Sequence, residues 1–367
     1  MKKILITFVA LVGFIIMGYA RTNLVATLSH NGQFTQYYGT KALTSAYNAA
    51  VDGDIITLSR GEFSFSGNFE KGITLRGTGI ETSHDTYDAA KPYLTHITGS
   101  VSFYSKDSNR VTIVEGIRFT NGVYIYNTSS DKGQGTIKFI KNCFSSTVYA
   151  YSDFTETPPN SPVVRFYNNL ISSVYFNSYT NPDFKFYNCH LGATRTADDL
   201  GKNFSAFYNC IITYRGNDSS YLDAPFRHSG YLNFYNCIFC NLNTSSSGYN
   251  YARTLSSTAS CSICLNIDIT SNNLFNGIFF NQNNKNINKI ADVFKTYNGN
   301  NIWHETFELT ETAKTTYLGN DGTEIGIQGG VYPYNIKVQY PIITNLSSDD
   351  QTTKDGKLNV KIEIDGK

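Results

Sequence analysis

Charged side chains between residues 195 and 228 form the group best suited to chemistry. Charged residues make up only 16% of the chain, yet this segment combines carboxylates, cations and an imidazole, which are the groups of acid–base catalysis. We expect them in the loops of consecutive repeats, where they would converge on one side. The alternative is that they are ordinary charges of solvated loops. The candidate catalytic residues are Asp198, Asp199, Arg215, Asp218, Asp223, Arg227 and His228.

Two pairs of cysteines have the spacing of a zinc site. The pairs are CIFC at 237–240 and CSIC at 261–264, which match the two CxxC pairs of a zinc ribbon. Cys237, however, also belongs to a repeated series of cysteines, and stacked small apolar side chains explain that series without metal. We therefore predict no metal site and keep a Cys240–Cys264 disulfide between neighbouring repeats as an alternative. The odd total of seven cysteines argues against a full disulfide framework.

A short aromatic motif that ends in Asn-Cys recurs along the chain. Self-similarity at a spacing of about 20 to 27 residues is typical of stacked repeats. The copies are KFIKNCF from 138, VRFYNNL from 164, KFYNCHL from 185, SAFYNCI from 205 and LNFYNCI from 232. The residues with a predicted structural role are the asparagines Asn142, Asn168, Asn188, Asn209 and Asn236 and the cysteines Cys143, Cys189, Cys210 and Cys237.

The pattern within each copy predicts one turn of a β-solenoid. Apolar residues alternate with polar or aromatic ones before the asparagine, as in a β-strand with one buried face. Asparagine tolerates a left-handed φ better than most residues, so it suits a sharp bend after the strand. Phenylalanine and cysteine would fill the interior, and stacked asparagine amides would hydrogen-bond to one another along the axis. Such turns stack about 4.8 Å apart.

A tyrosine that should point outward precedes each of the last four bends. Aromatic faces in a row can stack on sugar rings, and nearby cations would favour acidic sugars. This pattern predicts a carbohydrate-binding surface. The alternative is that the tyrosines stack on one another and need no ligand. The predicted binding residues are Tyr167, Tyr187, Tyr208, Tyr235, Arg165 and Lys185.

The two ends of the chain differ from the repeats. Residues 1–20 carry two lysines before an apolar run and small residues at Gly18 and Ala20. This is the layout of a signal peptide, so we expect the protein to be secreted or held at the cell surface. Residues 21–66 predict an N-terminal helix and a first strand that cap an open sheet edge. We assign 67–330 to the repeats and 331–367 to a C-terminal β-hairpin extension.

The segments DGDIITLSRGEF from 52 and ITLRGTG from 73, followed by the FYNC repeats, resemble the right-handed parallel β-helix of the pectate-lyase-like superfamily. They resemble in particular secreted Bacteroidetes-type members without assigned activity. The resemblance implies an all-β fold that hosts lyases, hydrolases, adhesins and inert scaffolds. A lyase of this kind would hold Ca²⁺ with carboxylates and use a basic residue to remove a proton. The characteristic strings of polygalacturonases and pectate lyases are absent from the sequence.

These observations predict an exported, all-β, right-handed parallel β-helix with an N-terminal capping helix. We expect it to associate with polysaccharides without cleaving them. One alternative is a lyase or hydrolase of acidic glycans that acts through residues 195–228, and another is a structural surface scaffold with a protein partner. The net charge of +1 gives no reason to expect nucleic acid. We expect a monomer with no membrane span after signal removal and no cofactor, since only a lyase would need Ca²⁺.

Overall fold

A computed structural model gives the fold of the chain. The predicted signal peptide and several internal segments lie outside the part that it describes. The described residues are 24–79, 94–104, 109–127, 135–152, 163–176, 183–192, 194–196, 204–214, 226–229, 231–241, 252–260, 262–265, 275–280, 283–287, 289–297, 307–334, 342–348 and 360–365.

Strands make up most of the described secondary structure. The helices are α1 (Ala42–Ala49), a 3₁₀ turn (Ile290–Asp292) and α2 (Glu311–Thr316). In chain order, strands β1 to β29 are Val25–His30, Gln33–Tyr38, Ile55–Leu58, Gly61–Phe63, Gly67–Phe69, Thr74–Arg76, Thr95–Ile97, Val101–Tyr104, Val111–Glu115, Arg118–Phe119, Val123–Asn127, Thr136–Ile140, Cys143–Ser152, Val163–Tyr167, Leu170–Phe176, Asp183–Tyr187, His190–Leu191, Thr194–Thr196, Phe204–Tyr208, Ile211–Tyr214, Phe226–Ser229, Tyr231–Tyr235, Ile238–Asn241, Ala252–Ser260, Ile263–Leu265, Phe275–Phe280, Lys285–Ile287, Ile342–Ser348 and Val360–Asp365.

Most strands belong to three parallel ladders, to which successive turns of the chain each add a strand. Ladder 1 contains β3, β6, β9, β12, β14, β16, β19 and β22. Ladder 2 contains β4, β7, β10, β17, β20, β23, β25 and β27, and ladder 3 contains β5, β8, β11, β18 and β21. The long strands β13 and β15 run from ladder 2 into ladder 3. These stacked parallel sheets are compatible with a β-helix-like solenoid.

Aromatic rings fill the interior behind ladder 1. One inward ladder position holds fully buried rings whose neighbours lie nearly parallel, with centroids 4.7–5.0 Å apart. This separation matches the spacing of strands in a sheet, about 4.8 Å, so each turn places one ring on the ring before it. The phenylalanine core that the alternation predicted is therefore confirmed. Its rings are Phe139, Phe166, Phe186, Phe207 and Phe234.

A residue with left-handed φ ends the strands of ladder 1. The asparagines Asn168, Asn188, Asn209 and Asn236 have φ between 51° and 56°, as predicted for the bend. In the turn before them the bend is Lys141, with φ of 52°. Only short or flexible polar side chains and glycine adopt this region readily, so the recurring asparagine reflects backbone geometry.

The predicted bend at Asn142 is wrong by one residue. The pairing of Ile140 with Tyr167 aligns Lys141 with the later asparagines and Asn142 with the position after them. The physical reason is the alternation of burial. The observed register buries Phe139 and leaves Lys138 half exposed, whereas the alignment of the Asn-Cys motif would have buried the lysine.

The position after the bend holds a polar or thiol side chain that satisfies the backbone. At Asn142, the backbone N–H donates to Asn169 Oδ1 of the next turn at 2.8 Å. Side chains at this position also donate to carbonyls of ladder 1, as Cys210 Sγ does to Phe186 O at 3.5 Å and Tyr208 O at 3.3 Å. The cysteines are thus hydrogen-bond donors as well as filler. The members of this position include Asn142, Asn169, Cys189, Cys210, Cys237 and Ser262.

Cys143 and Cys240 do not lie at the position that Cys189, Cys210 and Cys237 share. Cys143 pairs with Leu170 on the outer side of ladder 2 and is buried beneath the C-terminal segment, not inside the solenoid. Cys240 pairs with Leu265, while Cys264 pairs with Phe239, so Cys240 and Cys264 occupy positions on opposite faces of the sheet. Cys240 is a free thiol, and the alternative of a Cys240–Cys264 disulfide is not realised. Cys261 lies outside the described residues.

The N-terminal end contains a hairpin that precedes the predicted helix. β1 and β2 pair antiparallel across Asn31-Gly32, and β1 also pairs antiparallel with β3. Both turn residues have positive φ, which is the geometry that an Asn-Gly dipeptide provides. Helix α1 packs against β1 and buries Leu43, Ala46 and Tyr47 in the same core as the ladders.

The C-terminal part of the chain packs on the outside of ladder 2. Among the described residues, the last parallel pairing is that of β25 with β27, and the expected boundary of the repeats at residue 330 stays a prediction. Residues 289–297 and 307–334, which we call the C-terminal cover, pack on outward apolar side chains of ladder 2, including Leu170, Ile211 and Ile238. The predicted C-terminal hairpin is present as the antiparallel pair β28 and β29.

Candidate functional site

Three cations occupy one outward position of ladder 1. Lys138, Arg165 and Lys185 pair in register on successive strands, and all three side chains are half-buried. Adjacent strands lie about 4.8 Å apart, and like charges directly opposite one another destabilise a sheet. An anion bound along this cation column would reduce the repulsion between the three charges.

A stack of tyrosines runs beside the cation column, two residues further along each strand. Consecutive rings lie 5.0–5.1 Å apart with interplanar angles of 8–11°. Each ring covers the face of its neighbour, which is the mutual stacking that we gave as the alternative, and the binding of sugar rings by these tyrosines stays a prediction. The stack leaves ring edges and hydroxyl groups at the surface. Its members are Tyr167, Tyr187, Tyr208 and Tyr235.

Residues 317–334, which we call the strap, run along the row of asparagine bends. Asn188 Nδ2 donates to Ile327 O at 2.9 Å and Gly329 O at 2.6 Å. Asn236 exchanges side-chain and backbone hydrogen bonds of 3.0 Å with Asn320. The asparagine side chains of these two bends thus bind the strap rather than one another, which corrects the expected ladder of stacked amides.

The strap also contacts the tyrosine stack. The ring of Tyr332 lies edge-on against Tyr167 at 4.9 Å and against Tyr187 at 5.7 Å. Burial, followed by Tyr332, raises the pKa of Tyr167, while Arg165 lowers it. The strap therefore borders the cation column and the stack on one side.

The predicted catalytic cluster at 195–228 is only partly described. Asp198, Asp199, Arg215, Asp218 and Asp223 lie outside the described residues. Arg227 and His228 lie in strand β21, not in a loop as expected, because the segment FRHS pairs with its neighbours in ladder 3. The convergence of this cluster stays a prediction.

Ladder 3 carries a second series of cations in register. Tyr124, Tyr149 and Tyr175 occupy one position on successive turns, and Arg195, Arg227 and Arg253 continue the same position. His228 is the extra residue of a register shift between β21 and β24. Bulges of this kind occur often beside functional sites, where they redirect a side chain.

A polar group with a buried imidazole lies on the outer side of ladder 2, before the covered stretch. Glu62, His96 and Arg118 pair in register. His96 Nδ1 lies 3.9 Å from Glu62 Oε1, and His96 Nε2 is buried without a hydrogen-bond partner. Burial, followed by Arg118, lowers the pKa of His96 to about 4, so this imidazole is neutral near pH 7.

His190, in strand β17, is fully buried. Its ring stacks on Phe307 with a centroid separation of 5.1 Å, and its Nε2 lies 3.3 Å from Thr213 Oγ1. No local pattern around His190 predicts this burial, because Phe307 belongs to the C-terminal cover, more than a hundred positions later.

The described residues contain no cluster of three or more side chains that could hold a metal ion. The described helices α1 and α2, with eight and six residues, are both too short to cross a bilayer. A comparison of the chain with protein-family models, curated proteins and solved structures finds no match.

Two features of the site escaped the sequence analysis. Lys138 completes the cation column, and the alternation of TIKFI over 136–140 contains the signal that could have found it. The course of the strap along the bends was not predicted. Its glycines Gly326 and Gly330 have positive φ, and a Cβ on either would lie within 3 Å of Ile238 or Asn209. Close contact with the bends therefore requires glycine.

Proposed function

We propose that this chain is an exported, right-handed parallel β-helix, capped by α1, that binds an acidic polysaccharide without cleaving it. The observation that carries the proposal is the in-register column of Lys138, Arg165 and Lys185 on the outer side of ladder 1. The resemblance to pectate-lyase-like proteins supports the fold and the class of ligand.

Electrostatics favours a linear polyanion over a single small anion. The column repeats with the strand spacing of about 4.8 Å, and an acidic polysaccharide carries its carboxylates or sulfates at regular intervals along an extended chain. A polymer laid along the ladder axis would neutralise several cations at once. Guanidinium and ammonium groups form their strongest hydrogen bonds with such anions.

The tyrosine stack supports the proposal in a different way from sugar stacking. Its ring edges lie beside the cations, so the hydroxyl groups can donate to and accept from sugar hydroxyls. The stack also makes this surface rigid, because Tyr187 and Tyr208 each lie between two neighbouring rings. A rigid surface loses little conformational entropy when it binds.

The test is affinity electrophoresis of the purified protein in gels that contain polygalacturonate, alginate or heparin, beside neutral dextran. We expect retardation by at least one polyanion and a decrease in retardation as salt is raised. The double variant Arg165→Ala/Lys185→Ala should bind at least about tenfold more weakly, since each charge-assisted hydrogen bond contributes about 1.5–3 kcal/mol.

The matched control is Asn233→Ala, which changes the same ladder position two turns beyond Lys185 without removing a charge. Its affinity and the melting temperature of all variants should stay close to the wild type. Equal retardation by dextran, or an unchanged affinity in the double variant, would refute binding through this column.

The second candidate function is a polysaccharide lyase or hydrolase whose active site lies on ladder 3. The register shift at His228 beside Arg227 favours it, and the arginine column there would bind the carboxylates of the substrate. Incubation with polygalacturonate and Ca²⁺ would then release unsaturated or reducing sugar ends. Loss of that product in Arg227→Ala, with binding through ladder 1 intact, would separate the two functions.

A further inference from the structure

The strand β2 forms an open edge at the N-terminal end of the molecule. Within the described part of the chain, β2 pairs only with β1. Phe34 and Tyr38 are 74% and 62% exposed, and the other β2 residues are exposed apart from the intermediate Tyr37. The strand QFTQYY contains no charge and no proline. Proteins usually protect a long edge strand with lysine, proline or a bulge, and β2 has none of these.

The hairpin register shows which backbone groups face this edge. The residues that flank a two-residue turn, His30 and Gln33, form a hydrogen-bonded pair, and such pairs then alternate along the strands. The N–H and C=O groups of Gln33, Thr35 and Tyr37 therefore point to β1. Those of Phe34, Gln36 and Tyr38 point away from it, toward the open edge.

We propose that β2 pairs antiparallel with β2 of a second copy of this chain, across a twofold axis at Gln36. In this register Phe34 lies opposite Tyr38 of the second copy, and Gln36 lies opposite Gln36. Each of these is a hydrogen-bonded pair, so all the outward groups of Phe34, Gln36 and Tyr38 are satisfied by about six hydrogen bonds.

The side chains of β2 favour a second copy as the occupant. The symmetric register places an aromatic residue opposite an aromatic residue, and such cross-strand pairs stabilise a sheet. No like charges meet, because the strand is neutral. A twofold interface needs a surface that is complementary to itself, and the palindromic order of aromatic, amide and aromatic side chains at Phe34, Gln36 and Tyr38 meets this requirement. The dimer joins two molecules end to end at their N-terminal edges.

Charged substitutions at Gln36 test the interface. Sedimentation of the purified protein over micromolar to submillimolar concentration should show a monomer–dimer equilibrium. Gln36→Lys and Gln36→Glu each place like charges on the axis, so each variant alone should dimerise at least about tenfold more weakly. An equimolar mixture of the two should regain dimers, and the neutral control Gln36→Thr should dimerise like the wild type.

Amide hydrogen exchange of the wild type gives a second measurement that needs no variant. The amides of Phe34, Gln36 and Tyr38 should gain protection as the protein concentration rises, whereas those of Gln33, Thr35 and Tyr37 should be protected at every concentration. A monomer at all concentrations would overturn the proposal. So would a dimer that both charged variants retain, or one that forms without protection of these three amides.

Discussion

Cysteine has a defined role at the residue scale. The side chain after the bend donates to carbonyls at the ends of ladder 1 strands, some of which also accept a backbone N–H of the neighbouring turn. Asn169 donates to Phe139 O at 2.9 Å and to Tyr167 O at 3.1 Å, and Cys189 donates to the equivalent carbonyls of the next turn. A thiol fits this position because it is small and apolar yet carries a weak donor.

Substitution of Cys210 separates its two roles. Cys210→Ala removes the donor to Phe186 O and Tyr208 O and should lower the free energy of unfolding by about 1–3 kcal/mol. Cys210→Ser keeps a hydroxyl donor and should retain most of the stability; a serine, Ser262, occupies this position in a later turn, where its Oγ accepts from Cys237 N–H at 3.4 Å. Urea denaturation measures both variants. An equal loss in Ala and Ser would show that the volume of the sulfur atom, not its hydrogen bond, is what matters.

The strap shows how one element completes another at the scale of secondary structure. The bends of ladder 1 present asparagine amides in a row, and the strap presents carbonyls and a carboxamide at matching intervals. Side chains on the outer face of ladder 2 are mostly apolar where the C-terminal cover lies, with His190 as an exception, and polar at Glu62 and His96, before it begins. The residue types at the outward positions of ladder 2 therefore change along the stack, according to whether the C-terminal cover packs on them.

Two substitutions of Asn188 test the docking of the strap. Asn188→Gly keeps the left-handed φ of 51° but loses the donors to Ile327 O and Gly329 O, which should cost about 1–3 kcal/mol of stability. Asn188→Ala also strains the backbone and should cost about 1–2 kcal/mol more. Hydrogen exchange at the Gly326 and Tyr334 amides should accelerate in both variants.

The control for this experiment is Asn233→Ala, on the outer side of ladder 1 and away from the row of bends. Its strap amides should exchange at the wild-type rate. If exchange at Gly326 and Tyr334 is also unchanged in Asn188→Gly, the strap is held by its apolar contacts with Ile238 and Ile211 and the asparagine serves only the bend.

The whole molecule is a stack in which each turn depends on its neighbours. Its net charge is only +1 at pH 7 and its pI is about 7.5, so general charge repulsion contributes little to its stability near neutral pH. The effect of a single buried titrating group on the stability of the stack should therefore be measurable against this background.

His96 makes the stability of the molecule dependent on pH. Its pKa falls from 6.5 to about 4 on folding, first because of burial and second because of Arg118. Between these values the unfolded chain binds more protons than the folded one. The stability that the neutral, buried His96 contributes is therefore complete above pH 6.5 and is lost as the pH falls toward 4. Thermal unfolding from pH 7.5 to pH 4 should show a steeper loss in the wild type than in His96→Gln. The carboxylate of Glu62, 3.9 Å away, is present in both proteins, so parallel curves would contradict this role of His96.

Much of the architecture follows from local patterns in the sequence. Period-two alternation identified the strands and the inward phenylalanines, because burial of one face of a strand leaves that mark in the sequence. The recurring asparagine identified most bends, because few residues tolerate a positive φ. The cations Arg165 and Lys185 were found beside the tyrosines by spacing alone. The hairpin of β1 and β2 could also have been predicted, since Asn31-Gly32 is a strong turn signal.

Contacts between distant segments were decided only by the tertiary structure. The sequence by itself determined the repeat, its strands and the composition of its interior, since these depend on neighbours a few residues away. Tertiary packing determined the one-residue register at Lys141, the stacking of tyrosine faces, the burial of His190 under Phe307 and the course of the strap. Each of these depends on which surfaces come into contact after the turns have stacked. The local sequence pattern does not determine those contacts.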